Sequence, residues 1–329
     1  MKNVSPTPLQ RIAAPVSNEL QSYRALFERT LHHSEPLLDE ALSYIRQREG
    51  KMMRPILVLL MALEAGGVNN KALTAAVALE LLHTASLVHD DVVDESTLRR
   101  GLASVNQKFG NKIAVLVGDY LLSLLLCKAA ETGDNMMVER LAHLGGTLSE
   151  GEITQLDSSR HEVPDEAAYF RIIDHKTAAL FATCGELGAL AAGAKSEKVE
   201  RARLYGEMVG ICFQIRDDIF DFYEDKHIGK PTGNDLLEGK FTLPIIYALQ
   251  AAPSPALLPI ITRVKACQAS PEDVATLVAF TKNHGGIAYA KDVMNQYREK
   301  AIKVVESFHN KAVRESLIAY ANYVAAREM

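Results

Sequence analysis

Two aspartate-rich runs are the part of the sequence best suited to chemistry. The first lies in LVHDDVVDESTLRRG, residues 87–101, and the second in FQIRDDIFDFYED, residues 213–225. Each has the pattern D-D-x-x-D and follows an apolar helical segment, which gives the aspartates Asp90, Asp91, Asp94, Asp217, Asp218 and Asp221. Acidic side chains at a helix C-terminus oppose the helix dipole by about 0.3–1 kcal/mol each, and like charges one turn apart repel each other. The pattern therefore predicts cations at both places.

The spacing also indicates which cation is expected. On a helix Asp90 and Asp94 share a face, with Asp91 about 100° further round. A step of seven residues back from Asp221 places Gln214 on the face of that aspartate. If the two acidic faces meet across a cavity, they can hold several Mg²⁺ ions, which bind one or two carboxylates and share phosphate oxygens. A Ca²⁺ site would be expected to have more ligands in a dedicated loop.

Anionic groups should accompany such cations, and basic residues occur in the right kind of segment. They are Lys51 and Arg54 in GKMMRP, Arg99 and Arg100 after the first run, Lys176 beside Thr177 in DHKTAA, and Lys230 and Lys240 in GKPTGNDLLEGK. Arginine forks and lysine ammonium groups commonly bind diphosphates. Taken singly, Lys51 or Lys230 is better interpreted as a solvated surface charge. His83 alone would be a core histidine, but its helix also carries Asp90.

Composition limits the other possibilities. The chain has 329 residues, a net charge of −5 and 48% hydrophobic residues, with no linker-like segment. We therefore expect one domain over residues 1–329, with residues 1–10 flexible. A mildly acidic chain is not the expected partner of a nucleic acid, which selects a basic face.

The cysteines and the hydrophobic stretches bear on the cellular compartment. Cys127, Cys184, Cys212 and Cys267 form no C-x-x-C pair, so they are interpreted as buried thiols in a reducing compartment. The N-terminal segment lacks the apolar core of a signal peptide. The most hydrophobic stretch is interrupted by Asp119 and Lys128, so no transmembrane segment is predicted. We expect a cytoplasmic protein.

Helical periodicity dominates the chain, since apolar residues recur at intervals of three and four. Helices are predicted over 71–95, 112–131, 136–158, 165–193, 197–224 and 241–250, and another begins at Pro55 and ends at Gly66. No segment has the alternating pattern of a strand. Several helices are apolar nearly all round, which is typical of helices inside a bundle or against a partner subunit. The predicted fold class is all-α.

Five segments together resemble a known family. GKMMRP, LLHTASLVHDDVVDESTLRRG, DHKTA, GICFQIRDDIFDF and GKPTGNDLLEGKFTLP follow one another between about Gly50 and Leu249. In content and order they resemble the trans-isoprenyl diphosphate synthases, and among these the long-chain polyprenyl diphosphate synthases of the octaprenyl or solanesyl type. The resemblance implies an all-helical bundle of the isoprenoid synthase type with a central apolar cavity, assembled as a homodimer. It also implies condensation of isopentenyl diphosphate head-to-tail onto an allylic diphosphate (geranyl, farnesyl or geranylgeranyl).

The resemblance further implies a role for each motif residue. Two or three Mg²⁺ ions on the allylic diphosphate would be held by Asp90, Asp91, Asp94, Asp217, Asp218 and Asp221. The allylic leaving group would be supported by Arg99, Lys176, Thr177, Gln214, Lys230 and Lys240. Isopentenyl diphosphate would be held by Lys51, Arg54, His83 and Arg100. The departing pyrophosphate is the expected base, because no spare carboxylate or histidine presents itself.

Several alternatives stay open. A terpene cyclase could share the fold, but its second metal motif is typically N/D-D-x-x-S-x-x-x-E, unlike the DDIFD of this chain. A non-catalytic subunit would usually lack aspartates or basic residues that are all present here. A geranylgeranyl diphosphate synthase and one subunit of a heteromeric polyprenyl synthase remain alternatives.

Product length depends on the turn before the first acidic run. In this family the growing chain runs along that helix, and short-chain members commonly block the turn with an aromatic ring. Here the turn holds Ala85 and Ser86, which predicts an open passage. Deeper wall candidates are Leu81, Leu82, Leu121, Leu122, Ser123, Leu125 and Leu126. We therefore expect a product of roughly seven to ten or more prenyl units, destined for a membrane as a quinone side chain, because continued burial of methylenes favours elongation.

Overall fold

The protein is described from a computed structural model, which covers residues 6–47, 50–99, 101–158, 165–223 and 232–326. Nearly all of these residues are helical. The helices are α1 (Pro8–Ile12), α2 (Ser17–Thr30), α3 (Pro36–Arg46), α4 (Met53–Ala65), α5 (Asn70–Val93), α6 (Val105–Phe109), α7 (Asn111–Glu131), α8 (Asn135–Ser158), α9 (Glu166–Ile173), α10 (Ala179–Ala191), α11 (Ser196–Phe220), α12 (Asn234–Leu237), α13 (Leu243–Ala251), α14 (Leu258–Lys265), α15 (Pro271–Asn283), α16 (Gly286–Val305) and α17 (Lys311–Ala326). The all-α prediction is confirmed.

A small hairpin corrects the expectation of no strand. The strands β1 (Leu98–Arg99) and β2 (Leu102–Ala103) pair antiparallel, with Leu98 opposite Ala103. Two residues per strand are too few to produce a recognisable alternation of polar and apolar residues. The hairpin follows the first acidic run directly and positions Arg99.

The described residues group into two compact units that interleave along the chain. Unit 1 draws on residues 1–146, 180–206 and 302–320, and unit 2 on residues 147–179, 207–301 and 321–329. Each unit is therefore built from three separate stretches of sequence. The organisation of residues 1–329 as one domain stays a prediction.

The core of unit 1 forms around α4. Every side chain from Ile56 to Ala62 is almost completely buried, so this helix is apolar on all sides, as the sequence predicts. Gly188 of α10 allows a close approach, because a Cβ there would lie 2.3 Å from the carbonyl oxygen of Val58. Burial of each large apolar side chain contributes about 1.5–3 kcal/mol. This packing gives the neighbouring helix α5 a rigid support.

The ends of several predicted helices differ from the structure by a few residues, and two of the differences bear on the site. Helix α4 begins at Met53 rather than at Pro55, after Met52 in a left-handed conformation (φ 53°). Pro55 is then the third helical residue, where its missing N–H costs nothing because the first four N–H groups have no partner within the helix. The helix predicted over 165–193 is divided into α9, a π-helical segment at Asp174–Ala178, and α10.

The exposure of the cysteines and the hydropathy of two helices bear on the predictions of buried thiols and of no transmembrane segment. Cys184 and Cys212 are buried, and burial raises the pKa of each thiol to about 12, but Cys127 and Cys267 are exposed. The prediction of buried thiols is therefore right for two and wrong for two. Two helices, α5 and α7, are long and apolar enough to span a membrane by length and composition alone, with 56% and 33% of their apolar windows buried. Core helices pass the same test, so no span is assigned.

Candidate active site

The first acidic run lies at the end of α5 in unit 1. Asp91 is buried and forms an ion pair with Arg99 of β1, whose Nε lies 2.8 Å from Oδ1. The Nδ2 of Asn106 donates to the backbone oxygen of Asp91 (3.0 Å). Asp90 is half-buried, and Asp94 is exposed and caps the helix. The run therefore has one buried carboxylate, that of Asp91, which is paired with the hairpin, and two more accessible carboxylates, those of Asp90 and Asp94.

The pairing of Arg99 differs from the role that the resemblance implies. Arg99 is expected to support a diphosphate, but in the structure it donates to Asp91 through Nε and Nη2. A buried carboxylate without a partner is strongly destabilising, which explains the pairing. A diphosphate would have to share this guanidinium with the aspartate.

Unit 1 contains a cavity of about 490 Å³ beside this run. Its lining includes the expected site residues His83, Asp91 and Arg99, together with Gly50 of the GKMMRP segment. Apolar and polar side chains of α2, α3 and α5 complete the wall, among them Tyr23, Phe27, Glu80, Thr84, Leu87 and Val88. A volume of this size is within the range that holds small ligands.

The other basic residues expected at this place are arranged differently. Lys51 is exposed, and neither Lys51 nor Arg54 contributes to the cavity lining. The guanidinium of Arg54 lies over the ring of Phe181, 5.2 Å from its centroid, and its buried Nε has no hydrogen-bond partner. Buried donors normally have a partner, so a polar group is expected here. Arg100 lies outside the described residues.

The passage expected at Ala85 stays a prediction. Ala85 is 0% exposed, and neither it nor Ser86, whose hydroxyl donates to the backbone oxygen of His83 (2.9 Å), lines the cavity. Among the deeper wall candidates, Leu126 is 60% exposed. The remaining ones are buried (Leu81, Leu82, Leu121 and Leu125), half-buried (Leu122) or exposed (Ser123). The helix face towards the cavity is displaced from Ala85 because residues 83, 84, 87 and 88 occupy it.

The second acidic run ends α11 in unit 2, and its three carboxylates have different partners. Asp217 pairs with the buried Arg216, whose Nη2 lies 2.5 Å from Oδ1. Asp221 accepts the backbone N–H groups of Asn234 (3.0 Å) and Asp235 (3.1 Å). Asp221 therefore holds the start of α12, and with it the loop that leads to Lys240.

Asp218 is buried and accepts a hydrogen bond on each oxygen. The hydroxyl of Tyr169 lies 2.5 Å from Oδ2, and Nε2 of Gln214 lies 2.8 Å from Oδ1. Gln214 thus contacts Asp218 and not Asp221, because residues four apart on a helix are closer neighbours than residues seven apart. Thr177 donates to Oε1 of Gln214 (2.7 Å).

Lys176 and Thr177 lie on the π-helical segment between α9 and α10. The Nζ of Lys176 pairs with Glu152 of α8 (2.6 Å) and donates to Gln155 (3.2 Å). The segment approaches α8 closely at Gly151, where a Cβ would lie 3.0 Å from the backbone nitrogen of Lys176. Single π turns are frequent at functional sites, and this one turns Lys176 and Thr177 towards the same cavity.

A cavity of about 220 Å³ in unit 2 brings these groups together. It is lined by Lys176, Thr177, Gln214, Asp218 and Lys240, all expected from the sequence, and by Tyr169, Asp235 and Lys265, which were not. Tyr169 lies in an apolar helical pattern, and Lys265 follows no motif. Asp235 lies in GKPTGNDLLEGK, where the sequence predicted roles for Lys230 and Lys240 only. Lys230 lies outside the described residues.

Burial controls the charge of this second cavity. It raises the pKa of Asp218 to about 7, against the opposing effect of the donors Tyr169 and Gln214. Burial also raises the pKa of Asp235, and the nearby carboxylates of Asp221 and Asp218 raise it further. The pKa of Tyr169 is raised well above its usual value by burial and by Asp218. Because burial disfavours the ionised forms of these carboxyl groups, a cation in the cavity would stabilise the ionised forms and lower both pKa values.

The donor set fits Mg²⁺ better than a metal enclosed by protein. Among the described residues no three His, Cys, Asp or Glu side chains converge on one point. Mg²⁺ usually takes one or two carboxylates and completes its shell with water and substrate phosphates, so it does not require such a cluster. The expectation that both acidic runs serve one metal cluster stays a prediction.

Comparison with known proteins identifies the family. The Polyprenyl synthetase family pattern matches residues 35–278. Heptaprenyl diphosphate synthase component 2 of Geobacillus stearothermophilus is 36% identical, covering 95% of this chain and 97% of the relative. Octaprenyl and nonaprenyl diphosphate synthases are also among the relatives at 30% identity or more.

Solved structures give the same result. The geranylgeranyl pyrophosphate synthase of Bacteroides thetaiotaomicron superposes with a TM-score of 0.86 at 44% identity, covering 97% of this chain and 99% of the other. A decaprenyl diphosphate synthase from Rhodobacter capsulatus superposes with a TM-score of 0.91 at 32% identity, with the same coverage. The predicted all-α isoprenoid synthase fold is confirmed. The chain belongs to the polyprenyl synthetase family, a family of prenyltransferases, as its five motifs predicted.

Proposed function

We propose that the chain condenses isopentenyl diphosphate head-to-tail onto an allylic diphosphate and releases an all-trans long-chain polyprenyl diphosphate. The observation that carries the proposal is the cavity of unit 2, where side chains from widely separated motifs meet. Lys176, Thr177, Gln214, Asp218 and Lys240 all line it. Cations, hydroxyl and amide donors and a carboxylate around one small cavity suit a diphosphate bound together with a metal ion.

Enzymes of this family use Mg²⁺. We propose two or three ions, held by Asp90, Asp91, Asp94, Asp217, Asp218 and Asp221. When bound, the metal would supply Lewis-acid stabilisation of the negative charge that develops on the leaving pyrophosphate.

The side chains of the chain itself perform the remaining steps. Lys176 and Lys240 would hold the leaving pyrophosphate in the orientation needed for ionisation. Lys51, Arg54 and His83, with Arg100, would hold isopentenyl diphosphate so that its double bond faces the allylic carbon. Apolar walls would exclude water from the carbocation, and the departing pyrophosphate would accept the proton that is lost.

The relatives support a product of seven to ten or more prenyl units. The names of two compared proteins refer to heptaprenyl and decaprenyl diphosphates, and relatives at 30% identity or more include octaprenyl and nonaprenyl synthases. The structure at 44% identity is a geranylgeranyl pyrophosphate synthase, which keeps a four-unit product as the second candidate. Mass analysis of the product formed from farnesyl and isopentenyl diphosphates with Mg²⁺ distinguishes the two.

We further propose a homodimer in the cytoplasm. On α7 of unit 1, Val115, Leu116 and Leu126 are 41%, 62% and 60% exposed, although the helix is strongly apolar. Such a face is typical of a subunit interface. The relative named as component 2 raises the alternative of a heteromeric synthase.

The isolated chain tests these proposals together. The purified protein should elute as a dimer and incorporate labelled isopentenyl diphosphate without a partner. Activity that appears only after addition of a second subunit would establish the heteromeric alternative. Cyclised hydrocarbon, formed from the allylic diphosphate alone, would refute the condensation.

A further inference from the structure

Four side chains in unit 2 form a continuous series of hydrogen bonds that converges on Asp218, with Tyr169 at one end and Thr177 at the other. Tyr169 of α9 donates to Oδ2 of Asp218 (2.5 Å), and Gln214 of α11 donates to Oδ1 (2.8 Å). Thr177 of the π-helical segment donates to Oε1 of Gln214 (2.7 Å). All four side chains line the same cavity. We call this series the Asp218 relay.

The direction of each hydrogen bond follows from chemistry. The form of Asp218 that binds a cation is the ionised one. An ionised carboxylate only accepts, so the amide nitrogen of Gln214 must face Asp218 and its oxygen must face Thr177. The hydroxyl of Thr177 can then only donate to that oxygen. All three donors therefore point along the series towards Asp218.

This direction changes the role expected for Thr177. A diphosphate oxygen is also only an acceptor, so it could take a hydrogen bond from Thr177 only after the bond to Gln214 breaks. While the relay is formed, Thr177 holds Gln214 in its orientation and does not donate to the ligand.

Burial explains why the relay can fix Asp218 firmly. Asp218 is 3% exposed and Tyr169 is 4% exposed, so their hydrogen bond is shielded from bulk water. Hydrogen bonds from neutral donors to a charged carboxylate are shorter and stronger than those between neutral groups. With one donor on each oxygen, the carboxylate plane of Asp218 has a single orientation.

We propose that Tyr169 is a positioning residue, which together with Gln214 and Thr177 orients Asp218 for a divalent cation in the cavity of unit 2. This inference rests on the proposed function and deepens it, because it assigns to Tyr169 a task that the motifs do not predict. Tyr169 itself need not touch the metal or the substrate. Groups that orient a metal-binding side chain typically affect metal affinity or activity about 10–100-fold.

The test compares two Tyr→Phe variants of the full chain. Tyr169→Phe removes the hydroxyl from the relay. Tyr289→Phe is the matched control, because its hydroxyl also donates to a carboxylate in unit 2, that of Glu166 (2.8 Å), but Tyr289 does not line the cavity. Circular dichroism and thermal unfolding establish that both variants are folded.

The principal readout is the binding of Mn²⁺, measured by electron paramagnetic resonance with inorganic pyrophosphate present and no prenyl substrate. Tyr169→Phe should weaken Mn²⁺ binding by roughly ten-fold and lower kcat while leaving the KM for isopentenyl diphosphate unchanged. Tyr289→Phe should bind Mn²⁺ like the wild type. Equal Mn²⁺ affinity and equal kcat in Tyr169→Phe and Tyr289→Phe would overturn the proposal.

A second variant covers the case in which Tyr169→Phe does not fold. Thr177→Val is nearly isosteric and removes the other end of the relay, so it should also weaken Mn²⁺ binding. Unchanged Mn²⁺ binding in Thr177→Val would then refute the relay. If the wild type forms no prenyl product, the proposed function fails, but the Mn²⁺ comparison still decides whether the relay orients Asp218.

Discussion

Replacement of Gly151 by alanine should displace Lys176 and lower the turnover of the enzyme. Gly151 lies on α8 against the π-helical segment. A Cβ at this position would lie 2.9 Å from Cβ of His175 and 3.0 Å from the backbone nitrogen of Lys176. The latter contact is with backbone, so it cannot be relieved by a change of side-chain rotamer.

The size of the effect follows from these distances. Comfortable contacts between heavy atoms are about 3.5–4.0 Å, so the segment must move by roughly half an ångström. Overpacking of this kind costs about 1–3 kcal/mol, and the change from Gly to Ala in a helix returns about 0.5–1 kcal/mol. We expect a net loss of stability between zero and about 2.5 kcal/mol. Since misplacement by 1 Å can cost about 100-fold in rate, kcat should fall on the order of ten-fold.

Gly146→Ala is the matched control on the same helix. Nothing lies within 4 Å of a Cβ at Gly146, so this variant gains helix propensity without overpacking and should unfold at a higher temperature than the wild type. The assay is incorporation of labelled isopentenyl diphosphate, with thermal unfolding measured in parallel. If Gly151→Ala matches Gly146→Ala in both turnover and unfolding temperature, the close contact does not position Lys176.

Three further predictions use the same assays. Asp90→Asn and Asp217→Asn should each lower Mg²⁺-dependent turnover by orders of magnitude while the protein stays folded. Near-normal activity in either variant would show that the acidic run carrying that aspartate does not bind the metal. Arg54→Ala should raise the KM for isopentenyl diphosphate more than it lowers kcat, since it removes a group that binds substrate before and during the reaction; an unchanged KM removes Arg54 from this role. Hydrogen bonds from Arg263 hold the pKa of Asp273 well below its usual value. The ionised Asp273 therefore stabilises the fold above about pH 4, and this contribution is lost as the pH falls further. In urea unfolding, the stability difference between the wild type and Asp273→Asn should therefore be constant from pH 5 to 8 and shrink in acid; a difference that persists in acid would show that another interaction causes it.

Helical periodicity and motif order predicted the parts of this protein that depend on local sequence. Helices α4, α5, α7, α8, α11 and α13 follow from the spacing of apolar residues, as does the place of the two acidic runs at the ends of α5 and α11. The π-helical segment was not predicted, because residues 174–178 have the composition of an ordinary α-helix. It packs against α8 at Gly151, and a contact of this kind is not local in sequence.

The hydrogen-bond and ion-pair partners of side chains, and their burial, were harder to predict than the motifs. The ion pair of Asp91 with Arg99 requires the hairpin, which is too short to recognise from its pattern. Tyr169 has the periodicity of a core aromatic residue, and only the structure shows its hydroxyl on Asp218. The burial of Ala85 depends on the rotation of α5 within unit 1, which the sequence of one helix does not determine.

The π-helical segment limits the number of residues that the protein can have between α9 and α10. A π turn is equivalent to an α-helix into which one residue has been inserted. Deletion of a single residue from 174–178 would restore ordinary helical geometry and rotate Lys176 or Thr177 by about 100° relative to the residues before it. A substitution in this segment changes one side chain and leaves its neighbours in register, whereas a one-residue gap would move both Lys176 and Thr177 away from the cavity that they line. Descendants of this sequence should therefore keep five residues in this segment even where the identities of Asp174, His175 and Ala178 change.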